Sequence, residues 1–310
     1  MDVYGLGTLA IDVLMRVDKL PAADGFCIVK SNERQPGGSG TNVIVQLARL
    51  GAECGFVGGV GDDGLGKDVL ESLRQEKVNI DQMKVMPGKI TLHTDIVIDD
   101  AGDKFIMLNM GDAFDALRAE DVDTGLIADS KVFYTDLLPY SPAVNALKAT
   151  KEHGVKTVFN MQVGLGTMEG MGISREDVLA VLKYVDVFAP CQEGLYGLTG
   201  TRDLDECTSF LRRYCKGVLL FTLGKKGSVA YDEQNCRYSS ESVSVETVDT
   251  TGAGDSYMGS FIFAYYLRQY DLETAMKFAS VCAGYTCTGL GARFSPCIET
   301  ADRLFQAINK

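Results

Sequence analysis

The segment Val248–Leu267 reads VDTTGAGDSYMGSFIFAYYL, a Thr-Thr-Gly-Ala-Gly turn that runs straight into a long apolar helix. Glycines in such a turn let the backbone approach a ligand, and the N–H groups at the head of a helix carry the positive end of its dipole. The amides of Gly252, Ala253 and Gly254 are therefore expected to point outward as an anion hole, suited to a phosphate or to the charge that develops while a phosphoryl group moves. Asp255 falls at the rim of that hole, where a carboxylate can take the proton of an attacking hydroxyl. A plain helix N-cap with closely packed glycines would show the same pattern. The rest of the chain has to decide between the two.

Outward from this segment, short apolar runs alternate with amphipathic ones. VYGLG, NVIVQLARLG, CGFVGGVG and LGKDVLESLRQE read as strand, helix, strand, helix; VFYTDLL, SPAVNALKATKEHG, TVFNM, SREDVLAVLKY, VDVFAP, DLDECTSFLRRYCKG and VLLFTLG continue the rhythm. This alternation predicts an α/β fold with a mostly parallel sheet covered by helices. Ser174 and Asp203 stand where N-caps are expected, and His153 before Gly154 where a helix should end. Residues 12–36 and 88–110 break the rhythm with β-rich segments such as FCIVKSN, TLHTDIVID and KFIMLNM. They predict antiparallel strands standing off the main sheet as a lid, over the strand ends where open α/β sheets bind ligands. No change of composition marks a boundary, so one domain over residues 1–310 is expected, with the lid as its elaboration.

With 46% hydrophobic and 23% charged residues the chain can bury a large core, which excludes disorder. A net charge of -12 argues against nucleic acid and anionic membrane surfaces as partners, because both are bound by neutralising phosphates with Lys and Arg. The nine cysteines are scattered, odd in number and without a CxxC pair, so neither a disulfide framework nor a zinc site is indicated. His93 and His153 are the only histidines, which leaves no histidine cluster for a transition metal. The start MDVYGLGTLAIDV lacks the basic and apolar regions of a signal peptide, and no run reaches membrane-spanning length; a cytoplasmic protein is expected.

A second glycine turn lies in QPGGSGTNVIVQLARLG, where Gly37, Gly38 and Gly40 precede a helix with Asn42 in its first turn. Close backbone and a polar amide suit sugar hydroxyls, which need donors and acceptors together; a flexible turn before a helix would look the same. Gly59, Gly61 and Gly64 satisfy GxGxxG, but Asp62 and Asp63 would repel a pyrophosphate there. Gly61 to Lys67 spells GxxxxGK, but Asp68 stands where a P-loop needs Ser or Thr.

Taken in order, GGSGTN and DTTGAGDSYMGSF resemble the two signatures of the ribokinase-like (PfkB) sugar kinase family, and LAIDV, VGDDGLG, MGDAFDAL, LTG at 198–200, FTLGKKG and GLGARFSP extend the resemblance over nearly the whole chain. The resemblance implies a three-layer α/β sandwich with a β lid, ATP along the C-terminal half, and an acceptor held between body and lid. It implies Asp12, Gly38, Ser39, Gly40 and Asn42 as acceptor contacts, Asp255 as base, Gly252 to Gly254 as the anion hole, and Thr222, Gly224 and Gly227 against the nucleotide. It further implies a monovalent cation such as potassium near the hole, with Asp249, the carbonyl of Thr251 and Ser295 as ligands. Two departures stand out. The family's Asn-x-x-Glu motif, tied to magnesium and phosphate handling, aligns on Cys191 and Gly194, with Glu193 one residue off; Glu193 is expected to reach a magnesium ion through its water shell. The family's acidic sugar contact aligns on Leu137 and Leu138, which points to an acceptor that lacks a hydroxyl there or is more apolar than ribose. The expected activity is an ATP-dependent sugar kinase of ribokinase or fructokinase type. The alternatives are a nucleoside kinase of the same family or a catalytically weak sugar sensor on the kinase fold. Apolar lid edges in FCIVK and IMLNM point to a homodimer through the lid.

Overall fold

The continuous apolar runs become the strands of one large sheet in the computed structural model, which describes residues 1–308. In chain order the strands are β1 (Val3–Leu6), β2 (Ala10–Val17), β3 (Val29–Gly37), β4 (Cys54–Gly61), β5 (Met83–Met86), β6 (His93–Ile98), β7 (Lys104–Asn109), β8 (Val132–Thr135), β9 (Lys156–Met161), β10 (Val187–Pro190), β11 (Val218–Thr222), β12 (Ser228–Tyr231) and β13 (Arg237–Ser240). Nine of them form a sheet in the order β13-β12-β11-β10-β9-β8-β1-β4-β5. It is parallel from β11 through to β5 and antiparallel only where β12 and β13 are added. Strands β1, β4, β8 and β10 are buried along their whole length, which is why their sequences read as unbroken apolar runs rather than as an alternation.

Helices α1 (Ser39–Arg49), α2 (Gly64–Gln75), α3 (Thr124–Ala128), α4 (Tyr140–His153), α5 (Leu165–Gly170), α6 (Arg175–Val181), α7 (Gln192–Thr199), α8 (Leu204–Leu211), α9 (Ala253–Ile262), α10 (Leu272–Thr286) and α11 (Ile298–Ile308) cover the two faces, giving the three-layer sandwich. The expected caps are in place. Ser174 forms a capping box with Asp177, Asp203 accepts from the amides of Asp205 and Glu206, and Gly154 ends α4 at φ 73°. The apolar segment after Asp255 is helical through Leu267, with a π-helical turn over Phe263–Leu267.

The lid is a separate four-stranded sheet in the order β3-β2-β6-β7. Its strands fall within the two stretches that broke the rhythm, save that β2 starts at Ala10 and β3 reaches Gly37. The expectation of antiparallel pairing needs one correction. β2 pairs antiparallel with β3, and β6 with β7, but the central β2·β6 pair is parallel. The two hairpins meet through their first strands, which run in the same direction. The glycine pattern at 59–64 is structural: Asp63 caps α2 through the Gly66 amide (2.7 Å) and also binds the Thr91 amide (2.9 Å).

Candidate active site

Parallel strands put all their carboxyl ends on one edge, and that edge is where an open α/β sheet can hold a ligand. Thr8 follows β1, Asp136 follows β8, Gln162 follows β9 and Glu193 lies just beyond β10, so adjacent strands in the order β10-β9-β8-β1 deliver a row of polar side chains. Above this row, α1 and α9 run side by side in the same direction. Gly259 lies so close that a Cβ there would be 2.7 Å from the Val43 carbonyl, and Gln46 Nε2 donates to Ser260 Oγ at 3.0 Å. One turn toward the helix heads, Asn42 Nδ2 donates to Asp255 Oδ2 at 2.9 Å. Two helix N-termini thus meet over the strand ends.

Asp255 is 6% exposed. Gln162 Nε2 donates to its other oxygen, Oδ1, at 3.0 Å. Burial pushes its carboxyl up to about 7; hydrogen bonds from Asn42 and Ser39 oppose the rise, the neighbouring Asp136 charge adds to it, and the Arg293 charge opposes it. A carboxylate held near neutrality is matched to accepting and releasing a proton at physiological pH. Asp136 is also raised, to about 6, chiefly by burial; it accepts from the Thr8 amide (2.8 Å), the Thr8 hydroxyl (2.7 Å) and the Leu138 amide (3.1 Å).

At the head of α9 three backbone amides are left free, though not the three expected. Gly252 sits at φ 76°, and a Cβ there would overlap the Ala292 carbonyl, so both the turn and the close approach require glycine. The Ala253 amide turns back to the Thr250 carbonyl (3.2 Å) and is not available. The amides of Gly252, Gly254 and Asp255 have no acceptor among the described residues. They are the free donors at this helix head. Beside them opens a cleft of about 670 Å³ lined by Thr222, Gly224, Lys225, Gly227 and Gly254, which brings the three expected nucleotide contacts to the edge of the hole. Its size and its position at the helix head suit a nucleotide with its phosphates on the amides.

The residues expected to touch an acceptor are largely engaged with the scaffold. Gly40 donates its amide to Thr8 Oγ1 (3.0 Å), and a Cβ on it would meet the Thr8 amide at 2.6 Å. Gly38, at φ 84°, lies against the backbone of Leu9 and Ala10. Ser39 faces Asp255, and Asn42 is shared between Asp255 and Arg293, whose Nε donates to Asn42 Oδ1 at 2.9 Å. Asp12, on lid strand β2 beside Thr94, is only partly buried, and burial raises its carboxyl above the ordinary value. Leu137 and Leu138 are both buried. The acid of that strand end is Asp136, one residue earlier.

Cys191 and Gly194 act as a helix cap, the thiol sulfur accepting from the Gly194 amide at 3.3 Å. Glu193 is exposed and lies against Gly164, two residues beyond the Gln162 that binds Asp255. Among the described residues no three His, Cys, Asp or Glu side chains gather as a metal site. Asp249 accepts from the Thr251 amide (3.0 Å) and hydroxyl (2.7 Å) and from the Gly291 amide (3.0 Å). Ser295 stands apart, its hydroxyl and carbonyl both accepting from Arg49 Nη1. Gln162, Asp136 and Arg293 were not anticipated as site residues. The first two directly follow parallel strands, a positional signal; Arg293 carried none beyond its place in GLGARFSP.

The model of the pfkB family of carbohydrate kinases matches residues 2–301. The chain is 30% identical over 302 residues to an ATP-dependent ribose-1-phosphate kinase of Halopiger xanaduensis, covering 97% of this chain and 95% of that one. It is 27% identical over 320 residues to a probable chloroplastic fructokinase-6 of Arabidopsis thaliana, covering 96% and 81%. In fold it superposes on Arabidopsis thaliana ribokinase complexed with ribose and ATP at a TM-score of 0.84, with 20% identity and 98% of each chain covered. No helix among the described residues is long and apolar enough to cross a membrane.

Proposed function

This chain belongs to the pfkB family of carbohydrate kinases, and we propose that it transfers the γ-phosphoryl group of ATP to a hydroxyl of a small sugar or sugar-like acceptor, with Asp255 as the base. The observation that carries this reading is the placement of a buried carboxylate, raised to about 7, directly beside unpaired helix-head amides that border a nucleotide-sized cleft. In this reading the acceptor oxygen attacks phosphorus as its proton passes to Asp255, ADP leaves, and the amides of Gly252, Gly254 and Asp255 receive the charge on the transferring group. Thr222, Gly224 and Gly227 hold the nucleotide, while Asp12 from the lid and Ser39 from the head of α1 bind acceptor hydroxyls. Asn42 serves Asp255 rather than the sugar alone, because both ends of its amide are engaged.

Magnesium, arriving with the nucleotide, would neutralise phosphate charge, and Glu193, exposed just beyond β10, would bind its waters. Asp249 and the Thr251 carbonyl would hold a potassium ion; Ser295 is left out of that set because Arg49 donates to both its oxygens. We assign the whole of 1–310 to one kinase domain acting in the cytoplasm, a placement supported by nine unpaired cysteines. The acceptor is tested by following ADP formation from ATP and magnesium with fructose, ribose, ribose 1-phosphate and adenosine. A phosphorylated sugar confirms the class; adenosine alone as acceptor makes it a nucleoside kinase, and tight sugar binding without ADP makes it a sensor.

A further inference from the structure

Arg293 is partly buried, yet no carboxylate lies within ion-pair distance of its guanidinium among the described residues. Glu76, the nearest acid in influence, is held by Arg49. All three of its side-chain partners are neutral: Asn42 Oδ1 accepts from Nε at 2.9 Å, Thr41 Oγ1 from Nη2 at 3.1 Å, and Ser72 Oγ from Nη1 at 3.4 Å. A buried cation without a counter-ion is costly, and a site that needed only packing would be served better by an apolar side chain.

The geometry points to Arg293 as a positioning residue that orients Asn42 toward Asp255, an inference that rests on the kinase reading above. A side-chain amide is nearly symmetric in shape, so which end faces which neighbour is decided by the neighbours' hydrogen bonding. Guanidinium donates and never accepts. By claiming Asn42 Oδ1 it leaves only Nδ2 for Asp255 Oδ2; the opposite orientation would set two acceptor oxygens against each other and two donors against each other. Asn42 in turn restricts the carboxylate, whose second oxygen is met by Gln162.

Arg293 is itself fixed at both ends. Its carbonyl accepts from Arg49, and Thr41 Oγ1, which it holds, donates to the Gly37 carbonyl (2.7 Å) in the glycine turn before α1. In the same strip the Gly291 amide holds Asp249 and Ala292 lies against Gly252. The segment 291–293 therefore sets the base and the anion-hole turn from one rigid piece of backbone. Arg293 does not line the cleft beside the helix head; its route to Asp255 runs through Asn42.

The test compares Arg293→Met, Arg293→Lys, Asn42→Ala and the Arg293→Met/Asn42→Ala double variant. Turnover, KM for ATP and thermal melting are measured for each. Arg293→Met should lower kcat on the order of 10²-fold, the scale of an ångström-sized misplacement, while KM for ATP moves by less than about threefold. Arg293→Lys, which keeps the charge but gathers its donors on one nitrogen instead of a planar fork, should recover part of that loss. In the Asn42→Ala background Arg293→Met should add less than about twofold, because its route to the base is already cut. A kcat for Arg293→Met within about twofold of the parent, or the same loss in both backgrounds, overturns the inference. If the parent protein phosphorylates no acceptor, the kinase reading has failed and the inference is still decided by carboxyl ¹³C NMR. The Asp255 signal, assigned with Asp255→Asn, should titrate at higher pH in Arg293→Met, with Asp136 and Tyr134 the other titratable groups facing it. An unmoved midpoint sinks it.

Discussion

Asp255→Asn separates what the carboxylate does for chemistry from what it costs the fold. Burial raises Asp255 from 3.8 to about 7, so between those values the native state retains a proton that the unfolded chain has released. Stability from this group is therefore lost as pH rises through that window, and the full penalty is present above it. At about 1.4 kcal/mol per pH unit the penalty is on the order of 4 kcal/mol. Asparagine keeps the shape but offers Gln162 an amide instead of a second oxygen, which takes back about 1–2 kcal/mol. A net gain of about 2–3 kcal/mol remains. With about 2.1 cal/mol/K of unfolding entropy per residue, a chain of this length melts roughly 3–5 °C higher at pH 8; the gain vanishes near pH ~5 and becomes a small loss as pH approaches 4, where only the lost hydrogen bond remains. Over the same change, turnover should fall on the order of 10²-fold or more. Calorimetry at the two pH values and a coupled ADP assay give both numbers. An Asn variant that melts lower than the parent at pH 8 refutes the burial argument, and one that keeps full turnover refutes the base.

The pH profile of kcat/KM should show an acid limb with its midpoint near 7, since that ratio reports the free protein's ionisations; activity flat down to pH 5 would remove Asp255 from the rate equation. Gly252→Ala should cost on the order of 1–2 kcal/mol for the left-handed backbone alone. Crowding against Ala292 should then displace the hole, so turnover falls more than nucleotide affinity, as kinetics and calorimetric titration would tell. The edge strand β7 is exposed throughout, with Phe105, Ile106, Met107 and Leu108 39–58% accessible. An unprotected edge of that kind is expected to pair with a second copy, so sedimentation should give twice the chain mass and Ile106→Lys should return it to one.

The body of the fold was legible because buried parallel strands read as apolar runs and helices as amphipathic periods, several of them marked by caps; Ser174, Asp203 and Gly154 are instances. The lid could be located from its broken rhythm. Its central parallel pairing could not, since local sequence does not record which of two distant hairpins meets the other, or in what sense. At the site, DTTGAGD pointed to a carboxylate beside outward-facing helix-head amides, and the structure has Asp255 buried there with Ala253 alone of the three expected amides turned back, onto Thr250. Asp136, Gln162 and Arg293 were harder to see. Each is a single polar residue at the end of an apolar run or inside a loop, and its meaning depends on which strands and helix heads become neighbours in space. At the end of β8 the leucines at 137 and 138 and the acid before them, Asp136, are all buried, so the sequence alone did not show that an acid stands there one residue earlier.

One structural economy connects these residues. Asp136 and Asp255 are both pushed upward by burial, and Arg293 is pushed down to about 10 by the same cause, so the site gathers three groups whose charged forms the interior resists. Ordinary folding would neutralise such a set by direct ion pairs. Here amides and hydroxyls stand between them, Asn42 between Arg293 and Asp255, Thr8 and the Leu138 amide around Asp136. A direct contact between Arg293 and Asp255 would lower the carboxyl well below neutrality and make it a poor proton acceptor. Interposing a neutral amide keeps the orientation that the cation enforces while weakening the charge that reaches the base. A carboxylate can then stay near 7 without drifting in position, which is the pair of properties a hydroxyl-activating base needs.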